Sequence, residues 1–337
     1  MSTAPVTVGP IVDDELARLD EELVAHNLEG HWNLGGNALQ PEPKPWADPW
    51  LWRWADIRRL LWRAGEMRGI EGGASRRTVR LCTPGNKTKW TTPTIHASVQ
   101  LVKPGEVAEA HRHTMGALRF VVEGEGGYTT VESERVAMNP ADLILTPSWA
   151  WHDHGHDDGK PTIWIDVHDY PFTNGLNGIF FEPFRAQRQP VLAPGAKNTS
   201  ERAPFLYKGS EHLARIEASS PGLRSDPALG ATLDYLSPVT GGATLPTMMC
   251  SLHRLAAGDG CGAYRATDNR IYHVISGRGR TRAGSTALAW GPGDILVMPG
   301  WTWHRHLPET DAILFSVSDE PIFKAFGLAR REDRPTI

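Results

Sequence analysis

A short stretch of the sequence, residues 109–120, concentrates side chains that bind metals and anions. It reads EAHRHTMGALRF, with His111 and His113 one residue apart and Arg119 six residues after the second histidine. Alternate side chains of a β-strand share a face, so the two histidines point to the same side. If the strand ran on unbroken, Met115 and Arg119 would share that face. A buried arginine is costly without an anionic partner, which raises the question of what this face holds.

Three further segments each offer one polar face by the same alternation. His152 and His154 share a face in WHDHGH, Asp166 lies on the polar face of TIWIDVHD, and His96 and Gln100 share a face in TIHASVQLV. A small barrel with these faces turned inward would have a polar, ligand-holding lumen. Pairs of histidines are also common at surfaces and in cores, so the pair alone is weak evidence for a metal.

The segment SRRTVR adds Arg76, Arg77 and Arg80 to the candidates. Arg76 and Arg80 share one face of a strand but lie roughly 13 Å apart, so both cannot hold one carboxylate without a bulge or a turn. Arg76 and Arg80 are therefore candidates for substrate binding. A solvated or subunit-contact edge is an equally good interpretation of these arginines.

The chain contains an internal repeat. Residues 110–126 (AHRHTMGALRFVVEGEG) align with 263–279 (AYRATDNRIYHVISGRG), and residues 139–154 (NPADLILTPSWAWHDH) align with 291–306 (GPGDILVMPGWTWHRH). Both pairs share nearly the same offset, which indicates two copies of one β-domain of about 100 residues. Short β-rich runs between Gly, Pro and Asn turns favour a β-sandwich or barrel.

The first 70 residues differ from the rest in having a helical period. Leucines recur at helical spacing after an acidic start, and a second stripe follows a Pro/Gly-rich loop; the residues are Leu16, Leu19 and Leu23, then Trp50, Trp54, Ile57, Leu61 and Ala64. We expect these tryptophans to pack in the core or between subunits. The predicted organisation is a helical segment at 1–74, a first barrel at 75–190, a linker at 191–225 and a second barrel at 226–337.

Composition and charge exclude several classes of function. The 337 residues carry 35 basic and 39 acidic side chains, a net charge of −4, and no basic patch that would bind nucleic acid or an anionic membrane. Three cysteines suit a reducing cytoplasm. The N-terminus has no signal-peptide pattern, and no apolar run approaches the roughly 18 residues of a membrane span. We expect a cytoplasmic protein.

The order of the histidines resembles the two-motif pattern of the cupin superfamily. A His-x-His pair precedes a Gly-rich turn, and a Pro-x-x-x-x-His follows about 40 residues later. The usual cupin glutamate is absent, so the resemblance implies three neutral imidazoles as metal ligands: His111, His113 and His152. Imidazoles suit Fe, Zn, Cu or Ni, and three of them leave about three positions open on an octahedral ion.

The second copy lacks most of this ligand set. Tyr264 and Ala266 stand at the positions of the first two histidines, and only His304 matches the third. A single histidine does not make a metal site. We therefore expect the second copy to be a structural partner and His304 to be a core histidine.

Nearly the whole chain resembles the bicupin gentisate and salicylate 1,2-dioxygenases. The resemblance lies in PWLWRWADIRRLL, PGEVAEAHRHT, ALRFVVEGEG, LTPSWAWHDHG and PTIWIDVHD. It implies a mainly β bicupin fold, with two double-stranded β-helix (jelly-roll) barrels after a helical N-terminal segment. It also implies a homotetramer that uses Fe(II) and the co-substrate O₂ to open a 2-hydroxybenzoate, a small aromatic acid, between the carboxyl-bearing and hydroxyl-bearing carbons.

The resemblance also implies roles for individual residues. Arg119 would pair with the substrate carboxylate, and Gln100 would hydrogen-bond a ligand oxygen. His154 and Asp166 would hold or move protons. The milder alternative for Asp166 is that it orients a metal ligand.

Two positions predicted to face the pocket depart from the gentisate pattern. The family's TPTIWAG reads TPTIHAS here, which places His96 at a tryptophan position, and its HRHTQSALRF reads HRHTMGALRF, which introduces Met115 and Gly116. We predict that the substrate differs from gentisate at the 5-position, with a nitro group or a halogen as the first choice. The alternatives are gentisate, plain salicylate, 1-hydroxy-2-naphthoate, or a cupin that is not an oxygenase, such as an isomerase, a hydrolase or a ligand-binding bicupin.

Overall fold

The structure, a computed structural model, has two units, Met1–Lys44 and Pro45–Ile337. It describes residues 13–37, 39–67, 77–193, 205–258 and 261–334. The first unit contains helix α1 (Asp13–Ala25) and a 3₁₀ helix (His31–Asn37). The helix predicted from the leucine spacing is thus confirmed. Asp20 joins the two elements of this unit, since its carboxylate accepts hydrogen bonds from Trp32 Nε1 (3.1 Å) and Asn33 Nδ2 (2.9 Å).

The second unit is built from antiparallel strands and short helices. The helices are α2 (Trp54–Met67), α3 (Tyr170–Gly175), α4 (Gly209–Glu217) and α5 (Glu320–Ala325). The strands of the first barrel are β2 (Thr78–Arg80), β3 (His96–Val102), β4 (Val107–His113), β5 (Ala117–Glu123), β6 (Gly127–Val131), β7 (Glu134–Ala137), β8 (Leu143–Thr146), β9 (His152–His156), β10 (Thr162–His168), β11 (Phe181–Pro183) and β12 (Leu206–Tyr207). The strands of the second barrel are β1 (Trp50–Trp52), β13 (Arg224–Asp226), β14 (Gly230–Asp234), β15 (Met249–Leu255), β16 (Ala263–Ala266), β17 (Arg270–Ser276), β18 (Gly279–Ala283), β19 (Thr286–Trp290), β20 (Ile295–Met298), β21 (His304–Pro308), β22 (Ala312–Ser318) and β23 (Arg331–Arg334).

Each barrel consists of one larger and one smaller sheet. In the first, the orders are β12-β8-β5-β10-β3-β2 and β11-β4-β9-β6-β7; in the second, β1-β20-β17-β22-β15-β14-β13 and β19-β18-β21-β16-β23. The two barrels have the same strand plan, which confirms the bicupin fold that the repeat and the resemblance predicted. β1 and β12 lie within the predicted N-terminal segment and linker; the domain boundaries themselves stay predictions.

The largest apolar cluster lies where the larger sheets of the two barrels meet. Leu118 and Phe120 of β5 belong to it together with Ile271 of β17 and Phe315 of β22. The rings of Phe120 and Phe315 are stacked, with centroids 4.1 Å apart. Apolar side chains on one face of β3, β5 and β10 therefore pack against the second barrel, and the alternate polar side chains face the lumen of the first.

Two local predictions are wrong. The chain does not continue as one strand through residues 109–121, because a bend at 114–116 separates β4 from β5 and carries the chain from the smaller sheet to the larger one. Trp50 does not belong to the helical stripe, since it lies in β1, paired with Val297, and is 43% exposed. Ile57 and Leu61 are buried on α2 as predicted. None of the helices in the described ranges is long and apolar enough to cross a membrane.

Candidate metal centre

Three histidines converge in the lumen of the first barrel. His111 and His113 lie at the end of β4, and His152 begins β9, where it is paired directly with His111. One ring nitrogen from each residue lies within 4.8 Å of those of the other two, and all three side chains are buried. In the described part of the chain, this is the one cluster of His, Cys, Asp or Glu with the spacing of a metal site.

Main-chain carbonyls fix the orientation of all three rings. Nδ1 of His111 donates to the carbonyl of Glu109 (2.7 Å), Nδ1 of His113 to that of Met115 (2.9 Å), and Nδ1 of His152 to that of Ala150 (2.9 Å). A proton on Nδ1 leaves the lone pair on Nε2, the form that binds a metal.

The environment of His152 also fits a metal. Its Nε2 is fully buried and has no hydrogen-bond partner among the described residues, an arrangement that is costly unless something outside the chain meets it. Burial, then the neighbouring His111 and His113 and the charge of Arg119, hold the pKa of His152 well below its usual value. The imidazole is therefore neutral at pH 7 and does not have to lose a proton before it binds a cation.

A row of charged and polar residues crosses the larger sheet on the opposite side of the lumen. Arg80 on β2 is paired with Ser98 on β3, Ser98 with Asp166 on β10, and Asp166 with Arg119 on β5. Residues directly opposite one another in antiparallel strands share a face. The sheet register therefore aligns the predicted substrate residues Arg80 and Arg119 with the predicted catalytic residue Asp166.

Arg119 and Asp166 form a buried ion pair. The Nε atom of Arg119 lies 3.2 Å from Oδ1 of Asp166, and Nη1 donates to Oγ1 of Thr146 at 2.5 Å. Trp164 Nε1 donates to Oδ2 of Asp166 at 2.8 Å. Burial lowers the pKa of Arg119, an effect that the negative charge of Asp166 opposes, and the guanidinium stays charged. Main-chain carbonyls contact the three candidate ligand rings, and the contacts described for Asp166 are with Arg119 and Trp164.

His154 lies between the two sheets of the first barrel. Its ring centroid is 5.6 Å from that of His152 and 5.8 Å from that of Trp164 on β10. Its Nδ1 makes a short hydrogen bond with Oγ1 of Thr129, whose hydroxyl also donates to the carbonyl of Asp153 at 3.1 Å. His154 is fully buried and lies beside the candidate ligand His152.

His96 presents a buried hydrogen-bond donor. Its Nδ1 accepts from the backbone N–H of Thr91 at 3.2 Å, which places the proton on Nε2. That nitrogen is buried and has no hydrogen-bond partner among the residues described. Burial, then the neighbouring His168 and Arg80, lowers the pKa of His96 to about 3, so the ring is neutral at physiological pH.

The other predicted substrate residues differ in how well the structure places them. Gln100 is buried, accepts from Thr78 Oγ1 at 3.3 Å and leaves its Nε2 without a partner within the described chain. Arg80 is exposed and stacks on the ring of Trp90, 5.3 Å away. Met115 lies in the bend, so the alternation argument for its side chain does not apply, and it is the Met115 carbonyl that contacts His113. Arg76 lies outside the described residues.

The second barrel keeps one histidine of the set. Tyr264, on β16, is paired with His304 on β21, as His111 is paired with His152. Nδ1 of His304 donates to the carbonyl of Thr302 at 2.9 Å, which repeats the contact of His152. The hydroxyl of Tyr264 bonds that of Tyr272 at 2.6 Å. The ligand geometry of the first barrel is thus absent from the described part of the second.

Sequence reasoning missed three residues that shape the site. Trp164 holds Asp166, Thr146 holds Arg119, and the ring of Phe181 stacks on that of His111 with centroids 5.3 Å apart. Trp164 has the same alternation parity as Asp166, a signal that could have identified it. Thr146 and Phe181 belong to strands whose pairing no local pattern reveals.

Comparisons with known proteins agree with this architecture. A cupin domain model matches residues 98–168. The chain is 37% identical to a 5-aminosalicylate 1,2-dioxygenase from Comamonas sp., over 94% of this chain and 90% of that protein. It is 33% identical to a gentisate 1,2-dioxygenase from Aquipseudomonas alcaligenes, over 96% and 98%. The structure of a salicylate 1,2-dioxygenase from Pseudoaminobacter salicylatoxidans with gentisate is similar, with a TM-score of 0.86, 29% identity, and coverage of 99% and 98%.

Proposed function

Because the chain belongs to the family of gentisate and salicylate 1,2-dioxygenases and is an oxidoreductase of that type, we propose that it uses Fe(II) and O₂ to open a 5-substituted salicylate between its carboxyl-bearing and hydroxyl-bearing carbons. The observation that carries this proposal is the buried histidine cluster, with ring nitrogens within 4.8 Å of one another. His111, His113 and His152 would hold the iron. When bound, Fe(II) supplies a redox-active template for both the phenolate and dioxygen. A cupin that is not an oxygenase is no longer an alternative.

Arg119 supplies the charge that the substrate carboxylate needs. Its Nε lies 3.2 Å from Oδ1 of Asp166, and its Nη1 donates to Oγ1 of Thr146. A guanidinium held at two of its nitrogens loses little side-chain entropy when it binds a carboxylate. Asp166 acts in this arrangement by fixing Arg119.

His154 and Gln100 act on the oxygen atoms of the substrate. The hydroxyl of Thr129 donates to the carbonyl of Asp153, so its oxygen accepts the Nδ1 proton of His154. The lone pair of His154 is then on Nε2, which accepts the phenol proton as the substrate binds. The buried Nε2 of Gln100 donates a hydrogen bond to a ligand oxygen.

His96 favours a ring substituent that carries a hydrogen-bond acceptor. Its Nε2–H is buried without a protein partner, and its low pKa keeps it a neutral donor rather than a cation. A nitro oxygen satisfies this donor. The relative from Comamonas is named for a 5-amino substrate, whose conjugated lone pair is a weaker acceptor. The hydroxyl of gentisate would also accept from His96, so the relative turnover of the two substrates distinguishes them.

The reaction is tested by reconstituting the purified apoprotein separately with Fe(II), Zn(II) and Mn(II) and recording O₂ uptake. The substrates are gentisate, salicylate, 5-nitrosalicylate, 5-aminosalicylate and 1-hydroxy-2-naphthoate. We expect one O₂ per substrate with Fe(II), and faster turnover of a 5-nitro or 5-amino substrate than of gentisate. Turnover without O₂, or with Zn(II) alone, would contradict the proposed reaction.

The role of His96 is tested by changing it to tryptophan. His96→Trp removes the compact donor and should shift the ratio of kcat/KM values towards gentisate. His96→Asn is the control, since it keeps an N–H donor and should shift the ratio less. If the wild type already prefers gentisate to 5-nitrosalicylate by about tenfold, roughly 1.4 kcal/mol, the proposed substituent is wrong and the reaction type alone remains.

We also propose, as the resemblance implied, that the enzyme is a cytoplasmic homotetramer. Large apolar side chains of the N-terminal unit are exposed, namely Leu19, Val24, Leu28 and Trp32, which supports an association between copies. Light scattering of the purified protein measures its mass; a monomer would contradict the oligomer.

A further inference from the structure

The two barrels exchange a matched pair of hydrogen bonds. Oγ1 of Thr247, just before β15, donates to Oδ2 of Asp169 at 2.6 Å. Oγ1 of Thr94, just before β3, makes the reciprocal and shorter bond to Oδ2 of Asp319. The two threonines are 153 residues apart and the two aspartates 150, so both bonds belong to the repeat. Both carboxylates are buried, at 5% and 0% exposure.

Each aspartate also accepts a hydrogen bond from the residue that directly precedes a strand of its own barrel, β5 in the first barrel and β17 in the second. Oδ1 of Asp169 accepts the backbone N–H of Gly116 at 2.9 Å, and Oδ1 of Asp319 accepts that of Asn269 at 2.7 Å. Gly116 allows the close approach, since a Cβ there would lie 3.3 Å from Oδ2 of Asp169. The two halves share these contacts and differ in one further donor each, since Nδ2 of Asn269 donates to Oδ2 of Asp319 at 2.7 Å and Oγ1 of Thr173 to Oδ1 of Asp169 at 3.2 Å.

Only in the first barrel does this contact continue to a metal ligand. The N–H of Gly116 and the C=O of Met115 belong to the same peptide group, and that carbonyl accepts the Nδ1 proton of His113 at 2.9 Å. Because a peptide group is planar and trans, fixing the direction of its N–H fixes the direction of its C=O. A carboxylate on the N–H also polarises the carbonyl and makes it a better acceptor. In the second barrel Ala266 replaces the histidine, and the chain of bonds has no imidazole to orient.

We propose that the second barrel positions the metal ligand His113 through Thr247, Asp169 and the Met115–Gly116 peptide. This inference rests on the proposed metal centre. Thr247 and Asp169 are positioning residues, since neither one belongs to the ligand set. The second barrel therefore acts on the metal site of the first through one hydroxyl group, that of Thr247. It also covers an apolar surface of the first barrel.

The matched variants Thr247→Val and Thr94→Val test the proposal. Each variant removes one threonine hydroxyl that donates to a buried aspartate across the same interface. Only the aspartate bonded by Thr247 is connected to a metal ligand. The readouts are the dissociation constant for Co(II), measured by competition with a chromophoric chelator, and the visible spectrum of the bound Co(II). We expect Thr247→Val to weaken binding by roughly tenfold and to alter the spectrum, as loss of an outer contact to a ligand does. Thr94→Val should stay within about twofold of the wild type, and Thr247→Ser should restore its affinity.

The possible outcomes separate this inference from the proposed function. Equal weakening by both valine variants would show a general effect of loosening the interface and would overturn the relay. An unchanged Co(II) affinity and spectrum in Thr247→Val would also overturn it. Either result would leave the metal centre standing. Failure of the wild type to bind Co(II) and Fe(II) would overturn the metal centre and the relay with it. Should Thr247→Val unfold, Asp169→Asn tests the same contact and should weaken binding at unchanged secondary structure.

Discussion

Each candidate ligand uses one ring nitrogen for the main chain and keeps the other for the metal. The Nδ1 protons of His111, His113 and His152 go to carbonyls 2.7–2.9 Å away. The sequence pointed to the three histidines that the structure brings together, through alternation along β4 for His111 and His113 and through the family motif for all three. It did not predict the carbonyls, since the partner of a ring nitrogen depends on how the chain turns next to the strand.

Removing a candidate ligand from the first barrel should affect iron binding more than removing its counterpart from the second. We expect His152→Ala to abolish stoichiometric iron binding and activity, because the remaining two imidazoles leave the ion poorly held. His304→Ala is the matched control and should bind iron as the wild type does, since Tyr264 and Ala266 supply no imidazole beside it. Iron per chain after desalting measures the result. Loss of iron from the His304 variant would rule out a single site.

Arg119→Met should damage the use of ring acids. A charge-assisted pair of this kind is worth about 1.5–3 kcal/mol, so kcat/KM should fall by roughly 10- to 100-fold. The variant also leaves Asp166 buried without its cation, which lowers stability and requires rates per folded molecule. Arg77→Met is the control: Arg77 is equally buried, 2.6 Å from Glu106, and outside the row that contains Arg119. An unaltered kcat/KM in Arg119→Met would remove this residue from the substrate site.

At the scale of elements, single strands serve two environments at once. On β5, Arg119 faces the lumen and the adjacent Phe120 packs against Phe315 of the second barrel. Within a strand the alternation predicted these faces correctly, for His96 and Gln100 as for Asp166. It failed between β4 and β5, because the chain there leaves one sheet and enters the other, and parity does not survive such a bend. The pocket contact predicted for Met115 consequently remains a prediction.

The stacked phenylalanines should couple the two larger sheets energetically. Phe120→Ala and Phe315→Ala should each destabilise the fold by about 3–5 kcal/mol, since each leaves a cavity in the shared core. The double variant should cost about 0.5–1.5 kcal/mol less than the sum, because the ring–ring contact can be lost only once. Urea unfolding of all four proteins measures this difference. Strict additivity would show that the two rings do not interact.

At the scale of the whole molecule, the repeat predicted two similar barrels but not how they contact each other. The offsets in the sequence are those of equivalent positions, such as Thr94 and Thr247. The contacts, in contrast, are crossed: Thr94 bonds Asp319, and Thr247 bonds Asp169. A sequence repeat shows which residues are equivalent in the two barrels, but not which residues touch. The interface between the larger sheets and its reciprocal bonds could therefore be seen only in the structure.

The interface should make stability depend on pH through Asp319. Burial, then the nearby negative charge of Asp268, raises the pKa of Asp319 to about 7, compared with about 3.9 in an unfolded chain. Between these values the folded state binds a proton that the unfolded state lacks, so stability falls as the pH rises from about 4 to about 7. Asp319→Asn removes this contribution. Urea unfolding at pH 5, 6.5 and 8 should give a flatter pH dependence for the variant, and parallel curves would contradict the assignment.

The main-chain origin of ligand orientation has an evolutionary consequence. The carbonyl of Ala150 holds His152, and the carbonyl of Thr302 holds His304 in the same way, although only the first belongs to a complete ligand set. A carbonyl is present whatever the side chain, so point mutation cannot delete the orienting group. After a gene duplication, one copy can therefore lose its histidines without losing the geometry that served them. The second barrel therefore keeps the main-chain contact that orients a ligand histidine. Histidines at very few positions would restore its metal-binding site.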